Sequence, residues 1–294
     1  MATQEKASLP HIERTAAEPR DNTLHPVILS QISQINSSIR LLRLTPVEKD
    51  SIKFQPGQWV DLHIPSLPSP GGFTLTSPPS LSPHYLELAI QRPPPHSTPL
   101  TPAHWLWQNP SQIIDTHLSI RIGGSFTWPP PLPNPVSSIK KVVFIAGGVG
   151  INPLISMLSV IAEEKARAGN LGFDVRFLYS VRGSVDGEGR NEEILFLSRL
   201  REIFEVLGEE GNLRLFVTGE EGKGEVLAND FEGLDVQRRR IEAIDLEDAL
   251  SDAEKRSGTV VYVCGVPKMT DRFVELAGKA DGMEEKRVLS EKWW

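Results

Sequence analysis

The sequence predicts two domains of different grammar: an antiparallel β-barrel or sandwich, followed by a doubly wound α/β unit on a parallel sheet. Three observations predict it. Of the 24 prolines, 17 fall between Pro65 and Pro135, and only Pro153 and Pro267 come later. Short β-rich runs sit among those prolines, whereas after Lys140 apolar strand-like runs alternate with helix-period stripes. Two of the later strands, in FIAGGVGINPL from 144 and VVYVCGVPKMTDRF from 260, break into glycine and then proline where a helical pattern starts.

Taken in order, residues 1–22 read as a flexible tail. They lack the apolar core of a secretory signal, and Glu5, Glu13 and Glu18 set them apart from acid-poor mitochondrial presequences. From 23 to 128 the runs HPVILSQI, SIRLLRLT, QWVDLHI, FTLTS, YLELAIQR and HLSIRI supply six short strands, with one short helix near Ala103–Gln108. The prolines of WPPPLPNPVSS cannot donate to a ladder, so 129–139 reads as a stiff, extended linker. The second domain, 140–294, opens on the strand KVVFIA and the helix NPLISMLSVIAEEKARAG. Asn152 is placed to cap that helix, Pro153 fits its first turn, and Gly169 fits just past its end. Leu154, Leu158 and Ile161 mark its apolar stripe. DVRFLY, the helix EEILFLSRLREIFEVLG, LRLFVT, a helix near 246–256, TVVYV and a helix from Pro267 follow. Such alternation implies right-handed crossovers around a parallel sheet.

Composition narrows the function. A net charge of −7 argues against a nucleic-acid binder, and no apolar run approaches membrane-spanning length. The single cysteine, Cys264, excludes an intrachain disulfide and an iron–sulfur cluster held by four protein thiolates. In an open parallel sheet ligands bind beyond the carboxyl ends of the strands, where both elbows lie. Gly147, Gly148 and Gly150 let the backbone approach a ligand, and the helix after them offers free N–H groups to a pyrophosphate. The dinucleotide fingerprint is incomplete, because Pro153 stands in place of its third glycine. The second strand ends in Ser180, Val181 and Arg182, without the acid that holds an adenine ribose.

AGGVGINPL and VCGVPKM resemble the two nucleotide signatures of the ferredoxin–NADP reductase superfamily, and GGFTLTS resembles its flavin motif, arginine-x-tyrosine-serine-x-x-serine. PGQWVDLHIP and the terminal EKWW extend the likeness over roughly 24–294. The resemblance implies an FAD-binding barrel followed by an NAD(P)-binding domain. It places Phe73 beside the isoalloxazine ring and the Thr74 hydroxyl near flavin N5, with Leu75, Thr76 and Ser77 completing the motif. Gly147, Gly148, Val149, Gly150, Ile151, Asn152 and Pro153 would carry the dinucleotide. Cys264, Gly265 and Met269 would shape the nicotinamide pocket, Glu291 is the acid near the flavin, and Trp293 would stack on the ring. Thr74, Cys264, Glu291 and Trp293 are thus the implied catalytic set.

One departure is large. The family arginine that holds the flavin pyrophosphate is Gly71 here; Arg40, Arg92 and Arg121 are the candidates to replace it. The expected function is a flavoprotein that takes hydride from NAD(P)H, NADH slightly favoured, and sends electrons to a separate acceptor. The alternative is a nicotinamide-binding sensor or scaffold that has lost productive flavin binding. The resemblance implies a mitochondrial address, with the cytoplasm as the alternative.

Overall fold

The computed structural model describes residues 10–48, 52–94, 101–131, 136–184, 192–219 and 233–292. After a short helix α1 (His11–Arg14) come six antiparallel strands: β1 (His25–Asn36), β2 (Ile39–Pro46), β3 (Trp59–His63), β4 (Gly71–Thr74), β5 (Leu86–Gln91) and β6 (His117–Gly123). They lie in the order β4-β3-β6-β1-β2-β5, and a bridge from Leu75 to Leu88 joins the two ends into a barrel. All six expected strands are present. Their alternate residues, such as Leu42, Leu44, Val60 and Leu62, are fully buried inside. Helices α2 (Pro102–Leu106) and α3 (Pro110–Ile113) sit between β5 and β6, α2 where the sequence predicts a short helix and capped by Thr101.

The second domain runs β7 (Lys141–Gly147), α4 (Ile151–Ala168), β8 (Asp174–Arg182), α5 (Leu197–Leu207), β9 (Gly211–Thr218), β10 (Asp235–Gln237), α6 (Ala243–Leu250), β11 (Thr259–Cys264), α7 (Pro267–Lys279) and β12 (Val288–Glu291). All six strands are parallel, in the order β10-β9-β8-β7-β11-β12. The chain winds outward from β7 through β8, β9 and β10, then returns to β11 on the other side. That reversal between β7 and β11 is the switch point where such sheets bind ligands.

Helix α4 differs from a one-sided amphipathic helix. The Leu154, Leu158 and Ile161 stripe meets the sheet, but Ser156 and Ser159 are buried too, because the opposite face packs on the barrel. Ser156 Oγ donates to the Ser77 carbonyl at 2.8 Å. Small polar residues there permit close approach and satisfy a barrel carbonyl. As expected, Gly169 closes α4 in the left-handed region, with φ 82°. Helix α5 starts at Leu197, five residues later than its sequence pattern, because buried Phe196 adopts φ 62°. Helix α6 starts earlier than expected, at Ala243, on a capping box between Glu242 and Asp245.

The two domains pack together, with Ile39 and Ala89 of the barrel in the apolar cluster of the α/β domain. Trp128, where the linker begins, is fully buried against Phe173 and Tyr262 of the α/β domain. The buried Tyr262 hydroxyl donates to the Thr127 carbonyl at 2.8 Å. Tyr262→Phe leaves that carbonyl without its partner, so thermal melts should show a loss of about 1–2 kcal/mol.

Candidate active site at the seam of the two domains

The carboxyl ends of β7, β11 and β12 stand side by side: Cys264 is in register with Ala146 on one strand and Glu291 on the other. The elbows beyond them touch backbone to backbone. A Cβ on Gly150 would lie 2.3 Å from the Cys264 carbonyl oxygen, and one on Gly265 would lie 3.0 Å from the Gly147 nitrogen. Met269, from the first turn of α7, fills the space over Gly147 and Gly265. Gly148, at φ 54°, has nothing within 4 Å of its missing side chain, so its backbone is open. Val149 is half-buried, while Ile151 and Pro153 are fully packed and hold the first turn of α4 in place.

Asn152 does not cap α4. A tight turn over Gly148–Gly150 leads into the helix, Gly150 takes the cap position, and Asn152 lies inside. Its Nδ2 donates instead to the Ala89 carbonyl on β5 at 3.0 Å, and its buried Oδ1 has no hydrogen-bond partner. That orphaned acceptor, the exposed backbone at Gly148 and the positive end of an 18-residue helix fit a nicotinamide dinucleotide.

On the barrel side the flavin motif divides. Leu75 is wholly in the barrel core. Thr76 Oγ1 donates to Glu87 Oε1 at 2.8 Å, and Ser77 Oγ accepts from the Glu87 N–H at 3.1 Å, so both hydroxyls are committed. Arg199 of α5 reaches across the seam to the Thr76 carbonyl at 3.1 Å and Glu87 at 2.7 Å. Phe73, half-buried, and Thr74 remain to meet a ligand; no described residue hydrogen-bonds the Thr74 hydroxyl. The Phe73 ring lies over Gly71, where an added Cβ would come within 2.7 Å of both that ring and Pro102.

Cys264 is almost fully buried, and burial together with the Glu291 carboxylate holds its thiol well above the usual range. It is a neutral wall of the pocket, not a thiolate nucleophile. Trp293 lies outside the described residues.

Residues 10–22, read from sequence as tail, pack on the barrel beside this site. His11 fills the space a side chain at Gly72 would take, and its Nε2 meets Asp61 at 2.9 Å. Arg20 and Arg121 also bond Asp61, at 3.0 and 2.7 Å. Burial lowers the Arg14 pKa, and the nearby Glu291 carboxylate opposes that shift. The signal missed was Asp61 itself, a carboxylate on an inner strand that demanded cations from elsewhere in the chain.

A closed barrel followed by a parallel sheet, with the glycine elbows meeting at their seam, is the fold of the ferredoxin–NADP reductase type. Solved structures share that fold: the cytochrome P450 reductase GcoB of Amycolatopsis superposes at a TM-score of 0.69 with 19% identity, covering 94% of this chain and 71% of that one. The flavohemoglobin of Malassezia yamatoensis, solved with FAD and heme, gives 0.66 and 17%, covering 95% and 62%. Residues 144–275 match the model of the oxidoreductase NAD-binding domain. Oxidoreductase NAD-binding domain-containing protein 1 of Bos taurus is 30% identical over 97% of this chain and 85% of its own length. The chain belongs to that protein's family.

Proposed function

We propose that this chain is an NAD(P)H-dependent flavin oxidoreductase, taking hydride from nicotinamide C4 onto FAD and passing electrons to a separate acceptor. FAD, when bound, supplies the redox chemistry; the chain contributes position and electrostatics. One observation carries the reading. The helix that starts at the glycine elbow is fastened through Ser156 and Asn152 to the carbonyls of Ser77 and Ala89, within and beside the flavin motif. A dinucleotide held on α4 is thereby fixed relative to the barrel.

The N–H groups at Gly148 and the start of α4 would hold the pyrophosphate, and Asn152 Oδ1 would accept an amide or hydroxyl proton. Met269, Gly265 and Cys264 would wall the nicotinamide and exclude water; the protonated thiol adds no charge beside Glu291. The Thr74 hydroxyl would donate toward flavin N5, Phe73 would flank the ring, and Trp293 would cover it until nicotinamide displaces it.

Purified protein loaded with excess FAD should turn yellow, and anaerobic NADH should bleach it. A chain that binds NADH but shows no saturable FAD or FMN binding is the sensor or scaffold instead, a reading favoured by the closed space at Gly71. We favour NADH: among the described residues Arg182 alone closes β8, and Arg239 is committed to Asp245 at 2.6 Å. Dissociation constants measured for both nucleotides decide this: a tenfold preference for NADPH, about 1.4 kcal/mol, reverses it.

A further inference from the structure

The strand that should bear the pyrophosphate arginine carries Gly71, and there is no room to restore a side chain. A Cβ there would lie 2.7 Å from the Phe73 ring and from Pro102. Arg121 is no substitute, since its charge is already matched by the buried Asp61 carboxylate, at 3.0 and 2.7 Å.

The barrel register points elsewhere. Leu75 of the flavin motif bridges Leu88 of β5 in antiparallel fashion. Carried four residues further along each strand, that register would set Arg92 level with Gly71. Opposed residues share a face, so in that register Arg92 would project on the side from which Gly71 offers nothing. At about 3.3 Å per residue, Arg92 lies roughly 13 Å along from the bridge beside Thr74, a length a ribityl chain and its first phosphate can cover.

Arg92 is not alone. Its guanidinium carbon lies 5.5 Å from the centre of the Trp107 ring, and that of Arg40 lies 4.5 Å from the same ring. Arg40 is oriented by neutral acceptors, Gln34 Oε1 at 3.0 Å and the carbonyls of Leu106 at 3.1 Å and Gln108 at 2.7 Å. Among the described residues, no carboxylate pairs with either arginine and nothing hydrogen-bonds the Arg92 side chain. The buried Trp107 Nε1 also lacks an acceptor among the described residues. Burial and the neighbouring Arg92 charge both lower the Arg40 pKa, a cost that an anion between them would remove. Guanidinium groups match a diphosphate in charge and geometry.

We infer that Arg92 and Arg40, gathered over Trp107, form the diphosphate site of the flavin dinucleotide, transferring to β5 the charge that β4 has lost at Gly71. This rests on the flavin reading of the barrel, and the test separates the two. With saturating NAD+ present to occupy the elbow site at α4, apoprotein and the variant Arg92→Met are titrated with FAD, riboflavin and ADP, following tryptophan fluorescence. Arg92 is exposed, so its variant should melt with the wild type. The expected result is at least a tenfold loss of FAD and ADP affinity in Arg92→Met, with riboflavin affinity unchanged. If wild type binds ADP through Arg92 but binds neither flavin, the diphosphate site stands and the flavin reading falls. Unchanged FAD and ADP affinity in Arg92→Met, a parallel fall in riboflavin, or no ADP binding by wild type overturns the site.

Discussion

Asp61→Asn should cost on the order of 3–5 kcal/mol, the usual result of stripping one partner from a buried ionic cluster. The carboxylate is fully buried on β3 and meets His11, Arg20 and Arg121. Removing its charge leaves those groups crowded together with no anion. Burial pushes the Asp61 pKa up, but hydrogen bonds from His11, Arg121 and Arg20 outweigh it and hold the group at about 2. A folded-state value below the unfolded one means the stabilisation is complete above the unfolded pKa of about 3.9 and is lost as pH falls from there toward 2. The loss through that window is about 2 kcal/mol, from a shift of nearly two units. Guanidinium melts between pH 7 and pH 2.5 should therefore show an acid limb in wild type that Asp61→Asn lacks. A variant with full stability and the same acid limb would show that the cluster holds nothing. Because Arg20 and His11 anchor residues 10–22, protease should also clip the variant ahead of β1 first.

Gly150→Ala should damage both fold and nucleotide binding, although alanine suits the local backbone. With φ −63° and ψ −9°, Gly150 lies where any residue is comfortable, so the effect isolates contact from conformation. The added methyl would sit 2.3 Å from the Cys264 oxygen and 2.6 Å from the Gly265 Cα, both backbone atoms that cannot swing aside. The elbows must part, at a cost of about 1–3 kcal/mol for overpacking. Their parting should weaken NADH binding more than tenfold, read by quenching of protein fluorescence. Gly148→Ala is the control. Nothing lies within 4 Å of its new methyl, but φ 54° is left-handed, so stability falls by only about 1–2 kcal/mol without moving α4 away from β11. Equal stability and affinity for Gly150→Ala and wild type would mean the elbows are not held as tightly as their contact requires.

Much of this architecture was legible in one dimension. Strand period among prolines specifies the six barrel strands, since alternation and the missing donors act locally. Pro153 in the first turn of α4 and Gly169 at its end follow from backbone preferences that need no partner. The glycine elbows at Gly147–Gly150 and Gly265 announce close backbone approach for the same reason. β10 and β12, of three and four residues, are too short to carry a periodic signal, and a fully parallel neighbour strand defines them instead.

What the tertiary structure alone decided are the contacts between residues far apart in sequence. Asn152 has the chemistry of a cap, yet it turns to Ala89, 63 positions away, because α4 lies between a sheet and a barrel. Residues 10–22 have the polarity of a tail, yet they are held by Asp61, about 50 positions on, through charge pairing that leaves no repeat to detect. Likewise Arg40, Arg92 and Arg121 are equivalent cations in the sequence. Only barrel closure separates them, setting Arg121 on a buried carboxylate and gathering Arg92 with Arg40 near the Trp107 ring. Local backbone preference is written residue by residue, whereas the pairing of charges and the register of non-adjacent strands are settled only when the chain closes on itself.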